Sequence, residues 1–182
     1  MKYNLKRLTI IAMLLAMAIA INYLESFIPV FIPGVRLGLA NAIILIMLYE
    51  FKWYEAFFVD LLRILIVALI RGTLLSPTFF MSLSGGLLSF FVMLLFSRFK
   101  FFSKIGVSIL GSLSHATGQI LVAMVILESF DLIYYLPFII LLSIGTGILS
   151  GMISSLYLKR SITDKFVIDE KKDINQNDEL NL

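Results

Sequence analysis

Cysteine is absent from the 182 residues, and histidine occurs once. Disulfides, thiolate metal sites and cysteine nucleophiles are therefore excluded, and the redox compartment stays open. With His115 alone, one chain cannot build a multi-histidine metal site. Charge is scarce as well: 15% of residues are charged and 60% are hydrophobic. Soluble domains run near 25% and 45–50%, so a water-soluble globular protein is excluded. The few charges are uneven, with 11 of the 27 lying in residues 159–182.

What is present is hydrocarbon. The mean hydropathy is +0.99. A transmembrane helix needs roughly 20 apolar residues to cross about 30 Å of hydrocarbon. Residues 1–158 thus hold about six spans joined by short loops, with no room for a large extramembrane catalytic domain. The expected spans are 5–23, 37–49, 56–70 (or to 72), 79–96, 105–127 and 132–158. The second is short for a full crossing unless part of the preceding loop, 25–36, lies at membrane depth. Pro29, Pro33 and Gly34 break the helix in that loop. Glu50 to Glu55, with Trp53 and Tyr54, reads as an interfacial turn. Residues 159–182 form a polar tail, disordered or a short surface helix. The first span follows Lys2, Lys6 and Arg7 and continues without a small-residue cleavage site, so it reads as a retained span, not a cleaved signal. There is no convincing internal repeat.

The basic balance reports orientation, not nucleic acid. With the N-terminus inside, Lys2, Lys6, Arg7, Lys52, Arg98, Lys100, Lys104, Lys159, Arg160 and Lys165 all fall inside. Arg36 and Arg71 alone fall outside. Both termini are therefore expected in the cytoplasm.

A charge at mid-membrane costs about 2.5–3.5 kcal/mol on insertion scales and usually faces the bundle interior. Asp60 and Arg63 are such charges, three residues apart on one helix face. They read either as a structural ion pair or as Arg63 serving a ligand cavity while Asp60 orients it. Arg36 and Arg71 either snorkel to headgroups or continue a run of guanidinium groups inward, which suits an anion because guanidinium forks grip carboxylate or phosphate. Glu25 in the first loop is placed to neutralise one of them. Counted against Glu25 and Asp60, the three arginines leave one positive charge, for which a small anion is the simplest match. Ser108, Ser112, His115 and Gln119 follow steps of four, three and four and share one stripe. Gly111 and Gly118 beside them admit a close helix neighbour. His115 and Gln119 are candidates for lining a cavity, with Phe79 and Phe80 covering an apolar part of its ligand. Asn22 and Asn41 are weaker candidates. Ala12, Ala16 and Ala20 form a small-residue stripe that reads as internal packing or as an association face. Gly85-Gly86 and the run Gly145, Gly147, Gly151 are close-packing signals. The latter lacks the flanking Lys of a nucleotide-binding loop.

Several stretches carry a resemblance. They are Ile32-Pro33-Gly34-Val35-Arg36-Leu37-Gly38-Leu39-Ala40-Asn41, Asp60-Leu61-Leu62-Arg63, and Ser76-Pro77-Thr78-Phe79-Phe80-Met81-Ser82-Leu83-Ser84-Gly85-Gly86. Gly106-Val107-Ser108 and His115-Ala116-Thr117-Gly118-Gln119 complete the set. Over about residues 8–158 the chain resembles the small bacterial membrane family called Gx transporters, also described as heptaprenyl diphosphate synthase component I. Where that family usually carries Asn after the span 5 His, this chain has Ala116. The family is similar to the substrate-binding S components of energy-coupling factor transporters. The resemblance implies a six-helix all-α bundle in the bacterial cytoplasmic membrane. It implies a ligand bound near the outer face, under the loop joining helices 1 and 2. It also implies that Ala12 and Ala16 dock onto a transmembrane coupling subunit driven by two ATPase subunits.

The two descriptions of the family point to different functions. A prenyl diphosphate synthase needs clustered Asp residues to hold magnesium against diphosphate. The six Asp here are 60, 131, 164, 169, 173 and 178, none adjacent, and four lie in the tail. The expectation is a membrane substrate-binding subunit of an importer for a small anionic molecule, with no enzymatic activity and no cofactor or metal. The alternative is an accessory, non-catalytic subunit of polyprenyl diphosphate synthesis.

Overall fold

The structure, a computed structural model, describes residues 5–27, 37–99 and 101–160. The described residues are helical: α1 (Leu5–Glu25), α2 (Asn41–Glu50), α3 (Trp53–Ile70), α4 (Pro77–Ser97), α5 (Lys104–Ile126), a 3-10 turn (Phe130–Tyr135) and α6 (Leu136–Lys159). Their starts follow local chemistry. Pro77 sits in the first turn of α4, where its missing N–H costs nothing. Ser103 caps α5 by accepting the Gly106 N–H at 3.0 Å. Glu55 in the first turn of α3 accepts the Lys52 N–H at 2.9 Å.

The short helix is the centre. α2 has ten residues, about 15 Å at 1.5 Å per residue, half the hydrocarbon thickness. Asn41 through Met47 are all buried, and α2 touches each of the other five α-helices. A helix apolar all round is a core helix, which is why the expected span at 37–49 is no crossing by itself. Around it α1 packs on α3, α3 on α4, α4 on α5 and α5 on α6. Ser154 on α6 donates to the Ala42 carbonyl at 3.0 Å and Thr146 to the Leu37 carbonyl at 3.1 Å, pinning α2 and its approach to α6.

Among the described residues, four segments are long and apolar enough to cross a membrane: Leu5–Glu25, Pro77–Ser97, Lys104–Ile126 and Phe130–Lys159. α3 is 18 residues long but carries Glu55, Asp60 and Arg63, so composition does not single it out. Large apolar side chains such as Phe91, Leu95, Leu121, Val125, Leu141 and Leu149 are exposed on the outer surface. A monomer in water rarely shows such a surface, and hydrocarbon suits it. The protein is an all-α membrane protein.

Glycines set the closest approaches. A Cβ on Gly118 would lie 3.0 Å from the Ser84 carbonyl oxygen and 3.1 Å from the Gly85 Cα, so α4 and α5 cross backbone against backbone. Gly147 and Gly151 do the same for α6 against Ile109 and Ile105 of α5. Gly145, expected to act with them, has open space instead.

Other boundaries shift from the expected ones. The interfacial turn shrinks to two residues, because α3 already begins at Trp53. The expected sixth span resolves into the 3-10 turn and α6. The tail beyond Arg160 lies outside the described residues.

Candidate functional site

A group of buried polar residues gathers around the N-terminal end of α2. Arg63 and Asp60 on α3 are 2% and 1% exposed. The Arg63 Nε donates to Asp60 Oδ1 at 2.7 Å, and one terminal nitrogen lies 2.6 Å from the same oxygen. That terminal nitrogen also donates to Asn41 Oδ1 at 2.9 Å, and the Asn41 amide donates to Ser89 Oγ on α4 at 2.9 Å. The chain Asp60–Arg63–Asn41–Ser89 thus ties three helices through buried hydrogen bonds. Buried polar networks rigidify a core only when their members are satisfied. Asp60 Oδ2 is the open end here: it is buried, has no hydrogen-bond partner and faces Gly86.

A second cluster adjoins it on α5. Ser108, Ser112, His115 and Gln119 are all buried, as their spacing implies. The Gln119 side-chain amide meets His115 Nε2, and the His115 ring packs against Gly38 in the turn before α2. Gly38 has φ +81°, and a Cβ there would lie 3.2 Å from the Asn41 amide nitrogen and 3.3 Å from His115 Cδ2. Glycine is needed on both counts. Gly85 opens the other side, facing His115 and Gln119, while Gly86 faces Ile64 and Asp60.

The structure sorts the expected site residues. Asn41, Arg63, Asp60, His115 and Gln119 come together in the core. Glu25 is not in a loop: it ends α1, is buried, and accepts the Leu39 N–H at 3.0 Å. Asn22 is buried one turn before it. Arg71 does not join the cluster. It caps the end of α3 exposed, eight residues and about 12 Å of helix beyond Arg63. The inward run of guanidinium groups therefore does not form among the described residues, and Arg36 lies outside them. Phe79 is buried but Phe80 is 42% exposed, so Phe80 is not a cover for the interior. Sequence reasoning ranked Asn41 low and missed Ser89. Their shared bond spans 48 residues and leaves no local trace.

In the described cluster the Arg63 guanidinium is paired with the Asp60 carboxylate and its fork also reaches Asn41. What it offers is a buried set of hydroxyl, amide and imidazole groups beside an ion pair. No group of three or more His, Cys, Asp or Glu among the described residues is placed to hold a metal.

The opposite end is basic. Arg7 of α1 pairs with Glu55 of α3 at 2.7 Å and lies over the Phe51 ring. Lys104 of α5 lies over the Tyr49 ring at 5.5 Å. Lys6 and Tyr157 line one groove there. On α1 the stripe Ala12, Ala16 and Ala20 faces outward, exposed, while Leu14, Ala18, Asn22 and Glu25 face the bundle.

A family model described as heptaprenyl diphosphate synthase component I matches residues 14–157, and the chain belongs to that family. The match bears out the resemblance seen in the sequence motifs. No curated protein and no solved structure gives a match.

Proposed function

We propose, from the chain's membership of the heptaprenyl diphosphate synthase component I family, that it is an accessory, non-catalytic membrane subunit of polyprenyl diphosphate synthesis. It holds a catalytic synthase chain at the bilayer, where the growing product partitions. The observation that carries this reading is the family match across the bundle. The carboxylates support the non-catalytic part. Diphosphate chemistry needs magnesium held by convergent carboxylates, and among the described residues the one buried Asp, Asp60, pairs with Arg63. The test is co-sedimentation of the soluble polyprenyl diphosphate synthase from the same organism with vesicles containing this chain. Sedimentation above that with empty vesicles is expected; equal sedimentation would refute the reading.

In this reading the chain crosses a bacterial cytoplasmic membrane as a six-helix bundle with both termini inside. The gathering of Lys6, Arg7, Lys52 and Lys104 at one end supports that orientation, as does Arg71 at the end of α3 that points away from them.

A second reading is favoured by the exposed Ala12–Ala16–Ala20 face together with the polar cluster. Here the chain is the substrate-binding subunit of an energy-coupled importer, working with a transmembrane coupling subunit and two ATPase subunits. Asn41, Arg63, His115 and Gln119 would contact a small molecule, and Arg36 would meet any anionic group on it. A flat alanine face lets two helices approach closely. Ala16→Trp should abolish co-purification with the coupling subunit while leaving the melting temperature unchanged, since Ala16 is exposed. Undiminished co-purification of the variant would sink the second reading.

A further inference from the structure

The turn between α4 and α5 stands at the basic end of the bundle, since Lys104 just after it lies over the Tyr49 ring near the end of α2. Its phenylalanines are divided between core and surface. Phe102 turns inward: its ring meets Phe96 edge to face at 4.9 Å and packs against the apolar core. Phe101, its neighbour, is 94% exposed, and Phe99 is 53% exposed. The backbone that carries them is fixed. The Phe102 N–H donates to the Phe99 carbonyl at 3.2 Å, the Phe99 N–H donates to the Phe96 carbonyl at 3.2 Å, and Ser103 caps α5. Phe101 is thus held outward by a turn pinned on both sides. Arg98, before Phe99, is exposed, and its guanidinium has no ion-pair partner among the described residues. The carboxylates at this end lie elsewhere: Glu55 pairs with Arg7, and Glu50 sits near Tyr157 of α6.

Both flanking helices, Pro77–Ser97 and Lys104–Ile126, are long and apolar enough to cross a membrane. Six residues join them, too few to lift Phe101 clear of the bilayer surface. An exposed apolar pair beside a free cation, at that depth, is complementary to a lipid headgroup layer: hydrocarbon below, phosphate above. Anionic lipids attract basic groups at the surface, and a guanidinium fork matches phosphate. We propose that this turn is a headgroup anchor, with Phe99 and Phe101 entering the acyl boundary and Arg98 gripping the phosphate of an anionic phospholipid. Because the fold already holds the turn in place, little ordering is needed on binding. The anchor is independent of the polar cluster and of the accessory-subunit reading.

The test uses the full-length protein carrying Trp53→Phe and Phe101→Trp. Trp53 is the chain's one tryptophan, so this variant has a single indole at the tip of the turn, where one exposed ring replaces another. It is reconstituted in vesicles with the same lipid mixture in both leaflets, so the outcome does not depend on the orientation of the bundle. Phosphatidylcholine brominated near the headgroup end of its acyl chains should quench the indole more than the same lipid brominated near the chain ends. Aqueous acrylamide should quench it weakly. Brominated phosphatidylglycerol should quench more than brominated phosphatidylcholine at equal mole fraction. Arg98→Gln on this background should remove most of that preference, about fivefold being the scale of one basic residue at an anionic surface. Strong acrylamide quenching without bromolipid quenching would place the turn in water and overturn the anchor. If added polyprenyl diphosphate synthase then shielded the indole, the turn would be a protein-docking site instead. Equal quenching by the two brominated lipids, or a preference unchanged in Arg98→Gln, would overturn the assignment of Arg98 to an anionic headgroup.

Discussion

Arg63→Met is expected to destabilise the bundle by about 3–5 kcal/mol, the cost of removing one partner from a buried ion pair. Both side chains are almost completely buried, at 2% and 1% exposure. The substitution strands the Asp60 carboxylate, whose Oδ2 already lacks a hydrogen-bond partner, and deprives Asn41 Oδ1 of its donor. Adding Asp60→Leu removes the stranded charge, and replacing a whole buried pair by apolar residues is often neutral. The double variant should therefore recover most of the lost stability, with a coupling energy at the upper end of about 0.5–3 kcal/mol. Thermal unfolding of the two single variants and the double in one detergent checks this. A native melting temperature in Arg63→Met would show that the pair does not hold the core, as would a double variant no better than the singles.

Gly147→Leu carries the second large effect. A Cβ at this position would lie 2.7 Å from the Ile109 Cα and 3.2 Å from Ser112 Oγ. The obstruction is backbone, so no rotamer relieves it, and α6 must move off α5. Overpacking of this kind costs about 1–3 kcal/mol, and this site belongs at the top of that range. Gly145→Ala is the control. Nothing lies within 4 Å of its Cβ, and Ala is the better helix former by about 0.8–1.0 kcal/mol. It should be neutral or slightly stabilising. Equal losses of melting temperature in the two variants would show that α5 and α6 do not meet at Gly147.

Legibility in the sequence followed the range of the interaction. Asp60 and Arg63 are three residues apart, so their pairing could be read from helical spacing. The stripe from Ser108 to Gln119 was legible for the same reason, as was the close approach at Gly118. Contacts between distant segments were not. Asn41 bridges Arg63 and Ser89, 22 and 48 residues away, and no local pattern marks a bridge. Glu25 looked like a loop residue because Pro29 and Gly34 follow, yet α1 extends to it and buries it. Arg71 looked like a continuation of Arg63. The helix ends beneath it, though, and its side chain stays exposed. The central position of α2 was also hidden, since an apolar run reads alike whether lipid or protein surrounds it.

In the accessory-subunit reading, this chain serves prenyl diphosphate synthesis at the membrane without performing the chemistry. The most direct measurement is synthase activity in a reconstituted system. Vesicles carrying the purified protein are mixed with the catalytic polyprenyl diphosphate synthase, magnesium and labelled isopentenyl and allylic diphosphates. No product is expected from this chain alone. With both proteins, product should form faster or grow longer than the synthase achieves with empty vesicles. Product formed by this chain alone would contradict the claim, as would synthase activity and product length indistinguishable from those with empty vesicles.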